Sequence, residues 1–186
     1  MLKLSEGALQ DLGVWQEFLF QFNGRAILAK RPIETSDSLH MFSDSSNWGY
    51  GACFGEKFFY GPFPASWTKF DIMFKESYRI YMLSKIFRNQ LKGKKVVFHT
   101  DNQALAVALG KCSCKQPRVM SVLRKIVAVC LHENIMFDAI HIPGKINVLC
   151  DRLSRDQVPF ELLLEKGMDT TPVSVPQALR PRNYWM

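Results

Sequence analysis

Four acidic residues occupy positions at which a carboxylate can do chemistry. Two stand at the ends of apolar, strand-like runs and two lie in helix-like segments: Asp44, Asp101, Glu76 and Asp151. A buried carboxylate without a partner is costly, so a cation, hydrogen-bond donors or a substrate must compensate it. The sequence has no accompanying His or Cys cluster, and hard oxygen ligands suit Mg²⁺ or Mn²⁺. The residues therefore predict a site for two divalent ions, about 4 Å apart, that act on a phosphodiester.

The strand-end positions predict that Asp44 and Asp101 lie close together. Asp44 falls late in the strand candidate 39–46, and Asp101 closes the apolar run 94–101. A right-handed crossover through the helical segment 72–91 would place these strands side by side. Asp101 would then lie at the carboxyl end of its strand, where α/β sheets place their sites.

The other two acids each have an ordinary interpretation as well as a chemical one. Glu76 heads an apolar stripe at helical spacing, formed by Ile80, Leu83 and Phe87, so its side chain is predicted to face the sheet. It could equally be a first-turn acid that complements the helix dipole. Asp151 could be a surface acid paired with Arg155 at i,i+4.

The pattern of elements predicts an α/β fold with a five-stranded mixed sheet, in which three antiparallel strands precede two helix-linked parallel ones, flanked by helices. The predicted strands are 39–46, 50–55, 57–63, 94–101 and 136–144, and the predicted helices are 5–22, 72–91, 102–109 (stopped by Gly110), 117–133 and 147–155. We divide the chain into a segment 1–37 with an amphipathic helix and a connector at 24–37, a domain 38–158, and a tail 159–186 that is poor in periodicity.

Composition narrows the class of protein. The chain has 186 residues, 47% of them hydrophobic, and a net charge of +7, which leans toward a polyanionic partner. Its N-terminus lacks the apolar core of a signal peptide, and the sequence has no apolar run of membrane-spanning length. Five scattered cysteines suggest reduced thiols, so we expect an intracellular protein, cytoplasmic or nuclear, without membrane association.

Several segments resemble the RNase H domain of long-terminal-repeat-class retroelements. They are FSDSSNWGYGACF, KESYRIYML, VVFHTDNQALAV and HIPGKINVLCDRLSR. The likeness is greatest to DIRS-type, tyrosine-recombinase retrotransposons, with the gypsy class next. The upstream LQDLGVWQEFLFQFNGR resembles the connection segment that follows the reverse transcriptase in these elements, and the resemblance covers about residues 9 to 158.

The resemblance implies both an activity and a ligand set. The family's metal-binding acids fall here on Asp44, Glu76, Asp101 and Asp151, which implies Mg²⁺-dependent cleavage of the RNA strand of an RNA–DNA hybrid. It also implies a parent polyprotein whose reverse transcriptase domain is a partner. Many relatives carry a loop histidine before the last acid, whereas His141 precedes Pro143 on a predicted strand, so we expect a structural or groove role for it.

Further residues are candidates for substrate binding. Backbone groups around Ser45, Ser46 and Asn47 adjoin the first acid, and Asn102 and Asn147 are substrate-binding or loop-shaping residues by the resemblance. Lys115 and Arg118 belong to a basic group within 111–125 that either follows a nucleic-acid backbone or is solvated surface.

Two alternatives to an active RNase H remain. One is a domesticated or inactive domain of this kind that binds nucleic acid without cutting it; the presence of all four acids argues against it. The other is an integrase-like nuclease of the same superfold. Integrases place their glutamate last, on a C-terminal helix, whereas here Glu76 comes second and Asp151 last.

Overall fold

The computed structural model describes residues 3–20 and 39–182, so the predicted connector 24–37 and the end of the first predicted helix lie outside the described residues. The strands are β1 (Leu39–Ser45), β2 (Gly49–Phe54), β3 (Lys57–Pro62), β4 (Lys95–Thr100) and β5 (Met136–His141). The helices are α1 (Glu6–Phe20), α2 (Ile72–Ile86), α3 (Arg88–Leu91), α4 (Gln103–Lys111), α5 (Pro117–Glu133), α6 (Val148–Ser154) and α7 (Phe160–Glu165).

The five strands form one mixed sheet in the order β3-β2-β1-β4-β5. β1, β2 and β3 pair antiparallel, while β4 pairs parallel with β1 and with β5. The predicted five-stranded mixed sheet is therefore confirmed. Met41 of β1 is level with Phe98 of β4, so the carboxyl ends of these two parallel strands lie side by side at one edge.

Helices cover both faces of the sheet. On one face, α2 and α5 enclose the larger core, which includes Met41, Trp67, Phe74, Leu83 and Ile126. On the other face, α6 and α7 enclose a smaller core of Cys53, Phe58, Leu149, Cys150, Leu153 and Leu163. α5 owes its place to an apolar stripe at helical spacing, of which Val119, Val122, Ile126 and Val129 are all buried.

Two predicted helices differ in the structure. The predicted helix 72–91 is interrupted at Phe87, whose φ of −99° and ψ of 13° separate α2 from α3. Phe87 is buried there against Phe54 and Phe59 of the sheet, so tertiary packing outweighs continuous helical geometry. α4 runs past the predicted stop at Gly110 and ends at Cys112, which adopts a left-handed φ of 49°.

The C-terminal residues pack along the sheet although their sequence shows little periodicity. The amide of Asp169 donates to the carbonyl of Glu56, just before β3, and the amide of Val173 donates to the carbonyl of Phe58 in β3. Both N–O distances are 2.8 Å. Trp67 Nε1 donates to the carbonyl of Arg182 at 2.7 Å. The residues beyond α6 therefore cover β3 and the start of α2.

At the other end of the chain, α1 lies on α5. Arg124 of α5 donates to the carboxylate of Asp11 and to the carbonyl of Gly7. The apolar side chains of Leu9, Leu12 and Leu19 are more than half exposed. Within residues 3–20 and 39–182, no helix is long and apolar enough to cross a membrane.

Candidate active site

Three of the four predicted acids meet at the carboxyl edge of β1 and β4. Asp44 lies near the end of β1, Asp101 directly follows β4, and Glu76 belongs to the start of α2. Each offers a carboxylate oxygen, and these oxygens all lie within 4.8 Å of one another. Parallel pairing aligns the two strand ends, and the crossover returns α2 to the same edge.

The start of α2 determines where Glu76 points. Asp71 caps the helix by accepting a hydrogen bond from Met73 N at 2.8 Å. Ile80 and Leu83, one and two turns on, are fully buried against the sheet. Glu76 lies on the same face and is only 4% exposed, so its carboxylate faces the interior, as the spacing predicts.

The surroundings of the cluster disfavour its negative charge. Burial raises the pKa of Glu76 to about 7, and the charges of Asp101 and Asp44 add to the rise. Burial, followed by the charge of Asp44, also raises the pKa of Asp101. The Arg79 guanidinium acts in the opposite direction on both groups, and a hydrogen bond from Asn102 opposes the rise at Glu76.

Arg79 is a site residue that the sequence reasoning missed. Its guanidinium is fully buried and donates from Nη1 to Ser45 Oγ at 2.9 Å, directly after Asp44 on β1. Burial lowers its pKa, and the charges of Glu76 and Asp44 oppose that change. A signal was present in the sequence, because Arg79 stands three residues after Glu76 and so lies on the same face of α2.

The donor set of the cluster fits a divalent cation. Glu76 Oε2 is buried and has no hydrogen-bond partner among the described residues. Arg79 lies nearby, yet its Nε and Nη2 are also without a partner in that part of the chain, so it does not satisfy this oxygen. A hard cation among three carboxylates would compensate the unpaired oxygen and the mutual repulsion together. Mg²⁺ and Mn²⁺ match these all-oxygen ligands.

The fourth acid, Asp151, is not among the three clustered carboxylates. It lies on α6, where its Oδ1 accepts hydrogen bonds from Arg155 Nε at 3.0 Å and Nη2 at 2.9 Å. This is the i,i+4 surface pair that the sequence left open as the ordinary interpretation. Its charge is a small contribution to the raised pKa of Asp101, and Ser154 Oγ lies 2.8 Å from the Asp151 carbonyl oxygen and 2.9 Å from Asp44 Oδ2.

Ser154, one turn after Asp151, connects α6 to the cluster. Its Oγ donates to Asp44 Oδ2 at 2.9 Å, and its carbonyl accepts from Ser46 Oγ at 2.7 Å. Gly51 allows α6 to approach this closely, since a Cβ there would lie 2.7 Å from the carbonyl oxygen of Cys150. A serine on a short helix carries no recognisable motif, so the sequence did not reveal it.

The predicted substrate-binding residues after Asp44 are partly engaged by the fold. Ser45 Oγ accepts from Arg79, and Ser46 Oγ accepts from the amides of Trp48 and Gly49 while donating to α6. The carbonyl of Asn47 accepts from Lys75 Nζ at 3.4 Å. The side chain of Asn47 is exposed and remains available for a substrate.

Both predicted asparagines shape the site. Asn102 caps α4 by accepting from Leu105 N at 3.1 Å, and it also contacts Glu76. Asn147 is buried and donates from Nδ2 to the carbonyl of Ser43 at 2.9 Å, which ties the entry of α6 to β1. These contacts fit the loop-shaping interpretation of Asn147. For Asn102 they fit both a loop-shaping and a substrate-binding role.

His141 and the basic group lie around the cluster. His141, at the end of β5, donates from Nε2 to the carbonyl of Asp101 at 3.1 Å. Lys115 and Arg118 are exposed at the start of α5, and the Arg118 guanidinium lies 5.0 Å from the ring centre of Phe70, just before α2. The structure therefore places Arg118 near the segment that leads into Glu76 and outside the carboxylate cluster.

Comparison with solved structures identifies the fold. RNase H1 from the halophilic archaeon Halobacterium salinarum matches with a TM-score of 0.53 and 12% identity, over 64% of this chain and 98% of that one. LC11-RNase H1, solved in complex with an RNA/DNA hybrid, gives 0.49 and 14%, over 67% and 99%. The N-terminal RNase H domain of a Mycobacterium tuberculosis protein gives 0.48 and 13%, over 70% and 99%. No protein-family model and no curated protein matches the sequence.

The match to the Halobacterium protein, together with the strand order β3-β2-β1-β4-β5, establishes an RNase H-like fold. At 12% identity, the likeness to the Halobacterium protein concerns the arrangement of strands and helices alone. The chemistry of this chain therefore has to be argued from its own residues.

Proposed function

We propose that this protein is a metal-dependent ribonuclease H that hydrolyses the RNA strand of RNA–DNA hybrids. The observation that carries the proposal is the cluster of Asp44, Glu76 and Asp101, whose oxygens lie within 4.8 Å of one another. The buried, unpartnered Oε2 of Glu76 adds the need for a cation, and the RNase H-like fold supports the reaction class. The basic net charge of +7 suits a polyanionic substrate.

Asp44, Glu76 and Asp101 would hold Mg²⁺ or Mn²⁺, and we propose two ions in the substrate complex. When bound, such ions polarise a phosphodiester and lower the pKa of a water molecule that attacks it. The protein's own groups then have positioning roles. Ser154 orients Asp44, Asn102 contacts Glu76, and Arg79 offsets part of the negative charge while the site is metal-free.

Asp151 would join the site by releasing Arg155. The two side chains are about half exposed, and exposed i,i+4 ion pairs stabilise by only about 0.3–0.5 kcal/mol. The attraction of Asp151 to a divalent ion, or of Arg155 to an approaching phosphate, would exceed this energy. Release would also free the Arg155 guanidinium, on the same turn of α6, to contact substrate phosphate.

The preference for a hybrid would come from contacts to the RNA strand. A hybrid presents 2′-hydroxyls on one strand in a wide, shallow minor groove. Asn47 and Asn102 flank the carboxylates and carry amide groups that donate to and accept from hydroxyls. Lys115 and Arg118 would contact the phosphate backbone further along. We also propose, from the sequence resemblance, that the natural context is a retroelement polyprotein with a reverse transcriptase domain, acting inside the cell.

The deciding experiment is parallel digestion of a hybrid, a DNA duplex and an RNA duplex of matched sequence, with Mg²⁺, with Mn²⁺ and with EDTA. We expect cleavage of the hybrid's RNA strand alone, dependent on the metal, and none by the Asp101→Asn variant. Equal cutting of the DNA duplex would favour an integrase-like nuclease. Hybrid binding without cutting would favour an inactive binding domain. The pairing of Asp151 with Arg155 is the observation that favours this alternative, because it engages the fourth acid away from the cluster.

A further inference from the structure

The turn between β1 and β2 presents one large aromatic side chain to solvent. Trp48 is 71% exposed, although it follows Asp44 by only four residues. Its ring stacks on no described aromatic residue, and no described group accepts from its indole N–H. Trp67, by contrast, is fully buried and packs against four aromatic rings. The fold therefore uses one of these tryptophans as core and leaves the indole of the other free.

The backbone that carries Trp48 is firmly held. Its amide donates to Ser46 Oγ at 3.1 Å, and its carbonyl accepts from Phe63 N at 2.7 Å. Lys75 Nζ holds the preceding carbonyl, and a Cβ at Gly49 would lie 2.8 Å from the carbonyl oxygen of Ser154, so α6 presses on the turn. An exposed side chain on a rigid turn loses little conformational entropy when it meets a partner.

The same turn is joined to the carboxylate cluster. Ser154 donates to Asp44 from its hydroxyl and accepts from Ser46 through its carbonyl, so one residue fixes the acid and the turn relative to each other. The next residue, Arg155, extends a half-exposed guanidinium on this side. An indole, a cation and the acidic cluster are thus brought together around the end of α6.

We propose that Trp48 is a substrate-binding residue that lies against the sugars of the RNA strand in the minor groove beside the scissile phosphate. This inference rests on the proposed function, since it assumes a hybrid at the carboxylates. The flat indole face matches the apolar face of a ribose, and its N–H has the geometry of a donor to a 2′-hydroxyl. A deoxyribose offers the face without the acceptor, so Trp48 would contribute to the choice of RNA over DNA.

The experiment measures binding of a fluorescently labelled hybrid by anisotropy, in an Asp101→Asn background that leaves the RNA uncut. Trp48→Ala should weaken hybrid binding about tenfold, because the variant loses both the ring face and the N–H donor, and loss of one aromatic contact to a nucleotide has an effect of about this size. Trp48→Phe keeps a ring and loses the donor, so it should recover part of the affinity for the hybrid. Because a deoxyribose has no 2′-hydroxyl to accept from the indole N–H, Trp48→Phe should bind a matched DNA duplex nearly as the parent does.

Trp15→Ala is the matched control, because Trp15 is 51% exposed on α1, which packs on α5 rather than beside the acids. It should bind the hybrid like the parent, and both alanine variants should melt like the parent. Intrinsic fluorescence quenching on hybrid binding should be largely lost in Trp48→Ala alone. Parent-like hybrid affinity of Trp48→Ala would overturn the inference and leave the proposed function standing. Failure of the parent itself to bind hybrid would overturn both.

Discussion

The hydroxyl of Ser154 donates a hydrogen bond to Asp44 Oδ2 over 2.9 Å, although the two residues are 110 positions apart in the chain. Asp44 is 6% exposed, so this bond compensates a carboxylate oxygen that has little access to water. The same helix carries Asp151 one turn earlier. α6 therefore contributes to the candidate site twice, through a carboxylate near the cluster and through a hydroxyl that orients one of its members.

Replacing Ser154 by Ala should destabilise the protein and impair the site. The change leaves a buried carboxylate oxygen without its donor, which costs about 1–3 kcal/mol. The backbone carbonyl that holds Ser46 is retained, so the turn should persist. We expect a lower free energy of unfolding in urea and several-fold slower hybrid cleavage. Ser121→Ala is the control, since Ser121 Oγ donates to the carbonyl of Arg118 three residues back, and Ser154 Oγ has the same contact with the carbonyl of Asp151. Ser121 differs in lying on a helix face without acids. Equal effects of the two changes would contradict a specific role for Ser154.

Replacing Asp101 by Asn should abolish cleavage while preserving the fold. The amide keeps the size of the side chain and removes the negative charge of Asp101. Burial and the charge of Asp44 disfavour that ionised form of the carboxyl group. Without metal, the variant should therefore melt slightly higher than the parent. Asp138→Asn is a suitable control, because Asp138, on β5, forms a partly exposed ion pair with Lys95 of β4. Near-parental cleavage by Asp101→Asn would rule out a ligand role for Asp101.

The raised pKa of Glu76 predicts that metal-free stability falls with pH. The pKa rises from 4.5 in the unfolded chain to about 7 in the folded one, so between these values the folded state retains a proton that the unfolded state releases. The free energy of unfolding should fall by about 3 kcal/mol across that window and level off above it. Urea melts in EDTA from pH 4 to 8 would measure this. Glu76→Gln should lose most of the fall, and an unaltered profile in that variant would assign the dependence to other groups.

The affinity of the site for a metal ion should rise with pH, whereas the metal-free stability falls. A cation binds the ionised carboxylate, so proton release from Glu76 must accompany binding below pH 7. We expect the affinity for Mn²⁺, measured by calorimetry, to increase as the pH rises through 7. A Mn²⁺ affinity that stays constant from pH 6 to pH 8 would mean that Glu76 is not a ligand.

The basic group at the start of α5 should determine part of the salt dependence of hybrid binding. Each duplex phosphate that a variant no longer neutralises lowers the slope of log affinity against log salt by about 0.9. Lys115→Ala with Arg118→Ala should therefore reduce the slope by up to about 1.8. The control pair is Lys92→Ala with Lys94→Ala, which removes the same charge just before β4, at the end of that strand opposite Asp101. An unchanged slope in the Lys115→Ala, Arg118→Ala variant would mean that these two side chains are solvated and do not contact the hybrid.

The parts of the fold that depend on local pattern were predictable. Apolar runs located β1 and β4, and the parallel crossover between them brought Asp44 and Asp101 to one edge. Glu76 followed from helical spacing on α2. These predictions succeeded because strand ends and helix faces are properties of short segments, and parallel pairing then leaves few arrangements.

The rest of the site depends on contacts between distant segments. Arg79 is buried only because β1 places Ser45 opposite it, and Ser154 reaches Asp44 only because Gly51 admits α6. Asp151 is held by the exposed guanidinium of Arg155, and sequence spacing offers this pair only as one of two interpretations. α4 likewise continues through Gly110 to Lys111, because Cys112 adopts the left-handed cap and donates its N–H to the carbonyls of Ala108 and Leu109.

The contacts of residues 169 and 173 with β3 bear on how copies of this protein behave toward one another. β3 is an outer strand of the sheet, and an outer strand with free amides and carbonyls is a template for intermolecular strand addition. Val173 donates to the carbonyl of Phe58 in this strand, and Asp169 donates to the carbonyl of Glu56 just before it. The C-terminal residues thus cover this edge and disfavour aggregation by strand pairing between copies. A chain shortened after α6 would keep the proposed catalytic acids and lose that protection.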